Sequence, residues 1–190
     1  MVWLVIILIL IVAFGPIMWL MPSRRERRLA ALRQRAYQHG MRVDLRRLPG
    51  VDVAPEDRVT AGGRSLDTTR EYAAYVMPLP ARLRMLPGWR VRRGAEGIRA
   101  APGWAFEPGR RPEHPRLEAA LETLTPFLTE LPEDVAAVEL EPLSLAAYWL
   151  EGPGTTPDRV DDLAARLAAA AKQLTGLDAR LKEDTEPGTI

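Results

Sequence analysis

The chain has 190 residues with 26 basic and 25 acidic side chains, and the roughly 165 residues beyond an apolar start suffice for one domain with its own core. It contains no cysteine, which excludes disulfide bonds, thiolate metal sites and a cysteine nucleophile. Arginine outnumbers lysine by 24 to 2, so a run of arginines is by itself weak support for a ligand site.

The first predicted element is an apolar helix. Residues 2–21 carry no charged side chain, and at about 1.5 Å per residue a helix of this length crosses the roughly 30 Å of a bilayer core. Trp3 and Trp19 lie near its two ends and are the predicted interfacial anchors. We expect a transmembrane anchor over residues 1–21. A cleaved signal peptide, which would need a basic start, and a buried core helix are the alternatives.

Arginines follow this segment at once. Nine arginines and two acidic residues lie between residues 22 and 47, and basic flanks are retained on the cytoplasmic side of a membrane. The pattern predicts a single-pass protein of the bacterial inner membrane, with a periplasmic N-terminus and a cytoplasmic C-terminal domain. The arginines predicted to fix this topology and to contact anionic lipid headgroups are Arg24, Arg25, Arg27, Arg28, Arg33 and Arg35.

A basic juxtamembrane segment over residues 22–40 is predicted to contain a helix at 24–38. Ser23 and Glu26 have the spacing of a capping box, and Gly40 suits the position after the helix C-terminus. The apolar residues of this helix share one stripe, and its arginines lie elsewhere.

Short runs of alternating or β-branched residues predict strands in the rest of the chain. The predicted strands are residues 41–48, 71–77, 88–93, 103–108 and 135–141. An irregular loop over 49–69, rich in proline, glycine and acidic residues, separates the first two. The third and fourth are expected to form a hairpin.

Two further helices are predicted. One begins after His114 and is expected to break or kink near Thr125, because Pro126 has no N–H to donate. The other begins at Pro157, where proline suits the first helical position. Residues 185–190 are predicted to form a flexible tail.

Residues 144–151 suit either a strand or a helix. A weak internal repeat favours the strand, because "AAYVMPLP" at 73–80 is similar to "AAYWLEGP" at 146–153. The predicted fold is therefore α+β, with one N-terminal transmembrane helix and a cytosolic domain over residues 41–184. That domain is expected to contain an antiparallel sheet and about three helices.

Charge is divided unevenly along the chain. Residues 22–116 hold 21 basic and 10 acidic side chains, a net of +11, and residues 117–190 hold 5 and 15, a net of −10. The two halves could cohere through ion pairs. Alternatively, the domain could be dipolar, positive toward a membrane and negative toward a partner.

No motif for catalysis is present. The chain has no Walker and no GxSxG pattern, and His39 and His114 lack partners at ligand spacing. We therefore predict no catalytic residue, no metal and no cofactor. Glu139 and Glu141 share a predicted strand face, either as part of a solvated surface or as an acid–base pair.

Arg90, Arg92 and Arg93 form a candidate basic patch. Arginines beside a tryptophan are typical of surfaces that bind nucleic acid or lipid. No recognition module for nucleic acid is present, so a nucleic-acid partner is disfavoured. The same arginines could instead pair internally.

The segment "LMPSRRERR" at residues 20–28 ends an apolar helix at a proline and continues as an arginine-rich helix. In this N-terminal architecture the chain resembles the YajC-type accessory subunit of the bacterial Sec translocon. As a whole it resembles uncharacterised single-pass inner-membrane proteins of proteobacteria. The resemblance implies an accessory role at a membrane and assigns no functional residue.

These observations favour a membrane-anchored, non-catalytic accessory or adaptor protein that docks a protein partner at the cytosolic face of the inner membrane. The alternatives are a membrane-bound enzyme with an unrecognised site, and a module that binds anionic lipid or nucleic acid. A deep polar pocket with converging acids would favour the enzyme, and a flat apolar patch would favour the adaptor.

Overall fold

The computed structural model describes Trp3, residues 23–49 and residues 69–185. Beyond Trp3, these residues form three helices and seven strands. In chain order the elements are α1 (Arg24–Gln38), β1 (Arg42–Pro49), β2 (Thr69–Pro78), β3 (Trp89–Arg93), β4 (Arg99–Ala101), β5 (Trp104–Phe106), α2 (Leu117–Glu130), β6 (Val135–Glu141), β7 (Ser144–Trp149) and α3 (Pro157–Glu183).

The seven strands form one antiparallel sheet in the order β1-β2-β7-β6-β3-β5-β4. The register places Ala74 of β2 opposite Asp44 of β1 on one side and opposite Tyr148 of β7 on the other. The last strand along the chain, β7, therefore lies in the interior of the sheet. The predicted antiparallel sheet with three helices agrees with this architecture.

All three helices cover the same face of the sheet. Their apolar stripes and every second residue of the strands form one core cluster. Its largest side chains include Tyr75, Trp104, Phe106 and Trp149, each at most 1% exposed. Burial of one such aromatic side chain contributes about 1.5–3 kcal/mol to folding, so this face supplies most of the apolar stabilisation.

Helix α1 begins and ends where its local sequence predicts. The Ser23 hydroxyl accepts a hydrogen bond from the Glu26 N–H at 3.2 Å, and the Glu26 carboxylate accepts one from the Ser23 N–H at 2.6 Å. Gly40 follows the helix with a φ of +73°, which glycine adopts at little cost. Because Leu32 and Ala36 are fully buried, α1 is part of the domain core.

Of the break or kink predicted near Thr125, the break is wrong, because α2 runs without interruption from Leu117 to Glu130. Pro126 removes one backbone hydrogen bond, but Leu124, Phe127 and Leu128 on either side of it are buried in the core. Packing of this stripe outweighs the single missing N–H.

Two predicted strand features differ in detail from the structure. The segment 144–151 is a strand over residues 144–149, as the repeat indicates. The predicted hairpin is extended by one strand, because β3 pairs with β5 and the short β4 pairs with the far side of β5. The repeat does not preserve the faces of the sheet: Tyr75 lies in the helix-covered core, whereas Tyr148 lies on the opposite face.

The predicted transmembrane helix requires a correction. In the part of the chain that the structure describes, no helix is both long enough and apolar enough to cross a bilayer. The longest helix, α3, has 27 residues, but charged residues such as Asp161, Arg166 and Lys172 recur along it. Of the predicted anchor over residues 1–21, only Trp3 is described; it is helical and 77% exposed.

This finding corrects the predicted fold class. The observed fold is α+β, without a spanning helix among the described residues. It likewise does not bear out the predicted single-pass location in a bacterial inner membrane, with its periplasmic N-terminus and cytoplasmic domain. The predicted loop over 49–69, apart from its two end residues, and the predicted tail after residue 185 lie outside the described residues.

A buried carboxylate joins the C-terminal helix to the segment before β3. Asp178 of α3 is 6% exposed and accepts hydrogen bonds from the backbone N–H groups of Arg84, Met85 and Leu86 at 2.7–3.1 Å. These donors belong to irregular backbone and would otherwise be buried without partners, which is costly.

Replacement of Asp178 by alanine is expected to lower the free energy of unfolding by at least about 3 kcal/mol, because several backbone donors lose their acceptor together. The control is Asp162→Ala on the same helix, which removes an exposed pair with Arg166 and should cost at most about 0.5 kcal/mol. Urea unfolding of the full-length chain measures both. Equal losses in the two variants would contradict the role assigned to Asp178.

Candidate functional site

The face of the sheet opposite the helices carries a network of charged side chains. Its buried floor consists of Leu48, Tyr72, Ala74, Val76, Ala137, Ala146 and Tyr148. We call this surface the second face. Alternation along the strands places arginines and glutamates here, since the intervening residues fill the helix-covered core.

Arg46 of β1 connects strands that are not neighbours. Its guanidinium donates to the Glu139 carboxylate at 2.7 Å and to the Tyr148 hydroxyl at 3.0 Å. The Tyr148 hydroxyl donates in turn to Glu139. Ala74 and Ala146 on the strands in between have no side chain beyond Cβ, which leaves room for Arg46 to reach β6.

Glu107, just after β5, is the second centre of the network. Its carboxylate accepts hydrogen bonds from Arg92 at 2.9 Å and from Arg90 at 3.2 Å, and Arg110 lies at 3.2 Å. The Arg90 guanidinium also lies 3.7 Å from Glu139, which links the two centres. The Arg92 side chain is only 4% exposed, so its charge depends on this carboxylate for compensation.

The pKa values of Glu107, Tyr148 and Arg90 on the second face move away from neutrality. Burial alone would raise the pKa of Glu107, but hydrogen bonds from Arg92 and Arg90 outweigh it and lower that pKa. Burial and the hydrogen bond to Glu139 raise the pKa of Tyr148. Burial opposes the charge of Arg90, yet the neighbouring carboxylates raise the pKa of that guanidinium. Around pH 7 Glu107 and Arg90 are therefore charged, and the Tyr148 hydroxyl is neutral.

Fixed charges of this kind suit structure and recognition better than proton transfer. A general base or acid works best with a pKa near the working pH, and the shifts on the second face run the other way. In the described segments no group of three or more His, Asp or Glu residues is placed to hold a metal ion. The arrangement can bind and orient charge.

A cavity of about 290 Å³ lies beside the second face, at one end of the sheet. Tyr72 and Leu150 contribute apolar lining, and Arg92, Glu133 and Asp134 contribute charges of both signs. Glu133 and Asp134 share this lining with Arg92, and the Asp134 carboxylate lies 3.0 Å from the Arg159 guanidinium.

The helix α1 arginines predicted to face a membrane divide into two groups. In one group, Arg28 donates to the Pro153 carbonyl, Arg33 to Glu151 and Arg35 to Asp161. Arg24, Arg25 and Arg27 lie at the exposed start of the helix.

The contact between α1 and α3 centres on Asp161. Arg35 donates to its carboxylate at 2.6 and 2.8 Å, and His39 lies at 2.6 Å. These hydrogen bonds hold the pKa of Asp161 at about 2. They are among several ion pairs that join the basic and acidic halves of the sequence, as the cohesion hypothesis predicts.

The three arginines of the candidate basic patch do not form one surface. Arg90 and Arg92 lie on the second face with Glu107, whereas Arg93 points to the other face. Arg93 donates to the carbonyls of Leu131, Pro132 and Val135 and lies 4.5 Å from the ring centroid of Trp104. Burial lowers the pKa of Arg93. Of the predicted interfacial anchors, Trp19 lies outside the described residues.

A feature that sequence reasoning missed is the edge of the sheet at β1. This strand has eight residues and pairs along its whole length with β2, from Arg42 opposite Val76 to Pro49 opposite Thr69. On its other side no strand of the described chain pairs with it. Leu45, in its middle, is 56% exposed. The sequence predicts the strand, but only the order of the strands reveals that it is an edge.

No protein-family model matches this chain, and no similar protein was found among curated proteins or among solved structures. The interpretation of function therefore depends on the geometry of the second face and of the β1 edge.

Replacement of Glu107 by glutamine is expected to lower the free energy of unfolding at pH 7 by about 2 kcal/mol, because two charged hydrogen bonds lose their carboxylate. The pKa of Glu107 in the folded state lies below its ordinary value of 4.5, so its contribution is complete above that pH and is lost as the pH falls through the lower folded-state pKa. The difference between wild type and Glu107→Gln should thus shrink as the pH falls below 4.5.

Urea unfolding at a series of pH values measures this difference. The matched control is Glu118→Gln, which removes an exposed pair with Arg111 and should change stability by less than about 0.5 kcal/mol. A difference between wild type and Glu107→Gln that stays constant through the acid range would refute the assignment.

Proposed function

We propose that this chain is a non-catalytic accessory protein that binds a protein partner by accepting an extended segment of that partner at the β1 edge of its sheet. The added strand would pair main chain to main chain with β1, as in other cases of strand addition. The second face and the three helices form the rigid support for this edge.

The observation that carries the proposal is the combination of length, regular pairing and exposure in β1. Among the described residues β1 is paired on one side only, so its eight residues present a row of backbone N–H and C=O groups on the other. Natural sheets usually shorten or distort such edges. Leu45 adds an exposed apolar side chain at the centre of the row.

The opposite edge of the sheet supports the choice of β1 by contrast. Strand β4 has only three residues, and its pairing with β5 is irregular between Arg99 and Ala101. Short and irregular edges give an incoming strand few consecutive hydrogen bonds. A partner segment therefore gains more main-chain hydrogen bonds at β1.

The chemistry of the second face favours a binding protein over the two alternatives. The pKa of Glu107 is lowered and that of Tyr148 is raised, so neither group is poised as a general base or acid near pH 7, which disfavours the enzyme. Arg90, Arg92 and Arg93 donate to carboxylates and carbonyls of the domain itself, which disfavours a surface for lipid or nucleic acid.

Photo-cross-linking in cells tests the proposal. A benzophenone amino acid placed at position 45 of the full-length chain is expected to give a discrete cross-linked protein product. Leu143, which is 57% exposed in the turn between β6 and β7, is the matched control position and should give none. Ile98, beside the opposite edge, serves as a second control.

The same experiment can reject the proposal. Absence of any product from position 45, or equal yields from positions 45, 98 and 143, would show that the β1 edge does not receive a partner strand.

A further inference from the structure

We infer that the strand received at β1 is β1 of a second copy of this chain, paired antiparallel about a two-fold axis through Leu45. The inference rests on the proposed function and deepens it, because it identifies the partner segment. Its basis is the order of charges along the strand, which is self-complementary in the register centred on Leu45. An axis at Val43 also sets Arg42 opposite Asp44, but it pairs only the first few residues of β1, whereas the axis at Leu45 pairs residues 42–48.

The geometry of an antiparallel pair limits the registers to compare. Residues that lie opposite each other share a face of the sheet, so helices of both copies fall on one face only when the axis passes through a residue of β1. For an axis through residue n, residue n−1 lies opposite residue n+1 of the partner strand. The central candidates are thus axes at Asp44, Leu45 or Arg46.

Two of these three registers bring like charges together. An axis at Asp44 places Asp44 against its own copy and Arg42 against Arg46. An axis at Arg46 places Arg46 against its own copy. Like charges directly opposite each other destabilise a strand pair, so both registers are disfavoured. An axis at Arg47 fails for the same reason.

The register centred on Leu45 pairs opposite charges twice. Asp44 of each copy lies opposite Arg46 of the other, and Leu45 lies against its own copy. Arg47 lies opposite Val43, and Arg42 lies opposite Leu48. No like charges are directly opposed over residues 42–48, and the exposed leucine becomes an apolar contact at the axis.

The charge network of one copy already points to this edge. Within one copy Asp44 accepts a hydrogen bond from Arg42 at 3.1 Å and lies 3.7 Å from Arg46, which is itself held by Glu139. Addition of the partner's Arg46 beside Asp44 continues the network of the second face across the axis. The result is a sheet of fourteen strands, since each copy contributes seven, with all helices on one side.

A single engineered cysteine tests the register. The chain has no cysteine of its own, so Leu45→Cys in the full-length chain creates one thiol, and the axis places it beside its own copy. Mild oxidation, or a short bifunctional maleimide, is expected to convert most of this variant to a covalent dimer. Leu143→Cys, equally exposed but away from β1, is the matched control and should stay uncrosslinked.

Molar mass and charge reversal provide an independent measurement. Light scattering of the uncrosslinked wild type should give twice the 21.2 kDa of one chain. Asp44→Arg places like charges opposite Arg46 at two positions and should raise the dimer dissociation constant roughly tenfold or more. Glu118→Arg, on α2, should leave the dissociation constant unchanged.

The outcomes separate this inference from the proposed function. A single-chain molar mass, or equal cross-linking of Leu45→Cys and Leu143→Cys, would overturn the second-copy inference. A benzophenone product at position 45 that contains a different protein would also overturn it while leaving the proposed function in place. Absence of any partner at position 45 would reject both.

Discussion

One constraint organises the molecule: a sheet of alternating residues must bury its apolar face, and three helices cover that face in this chain. Every second side chain of the strands is committed to this core, so the remaining ones must share the other face. The charges gathered there, such as Arg92 and Glu107, tolerate partial burial because each arginine meets a carboxylate. The second face thus carries these charges because the helices cover the opposite face of the sheet.

The ion pairs also explain the uneven charge of the sequence. Arg46 and Arg90 come from the basic half and Glu139 comes from the acidic half, and the three meet because β6 lies between β7 and β3. Single exposed pairs contribute little to stability. A connected, partly buried set such as this one instead favours one strand order over others, since a misplaced strand would leave charges without partners.

Features encoded locally could be predicted from the sequence, and features that depend on distant neighbours could not. The capping box of Ser23 and Glu26 and the strand over 135–141 follow from short patterns. Continuation of α2 through Pro126 depends on packing against the sheet, which no local pattern records. Arg92 and Arg93 lie on opposite faces because neighbouring side chains of a strand alternate. Their partners, which lie on or beside β5 and β6, could be identified only from the strand order. The edge position of β1 is likewise a property of topology.

The interior position of β7 has a consequence for synthesis of the chain. Strands β2 and β6 both pair with β7, so the sheet stays in separate pieces until residues 144–149 leave the ribosome. At a translation rate of about 5–20 residues per second, the edge of β2 that later pairs with β7 stays unpaired for seconds. Asp178 joins α3 to residues 84–86 later still. The nascent chain thus exposes unpaired strand edges for much of its synthesis.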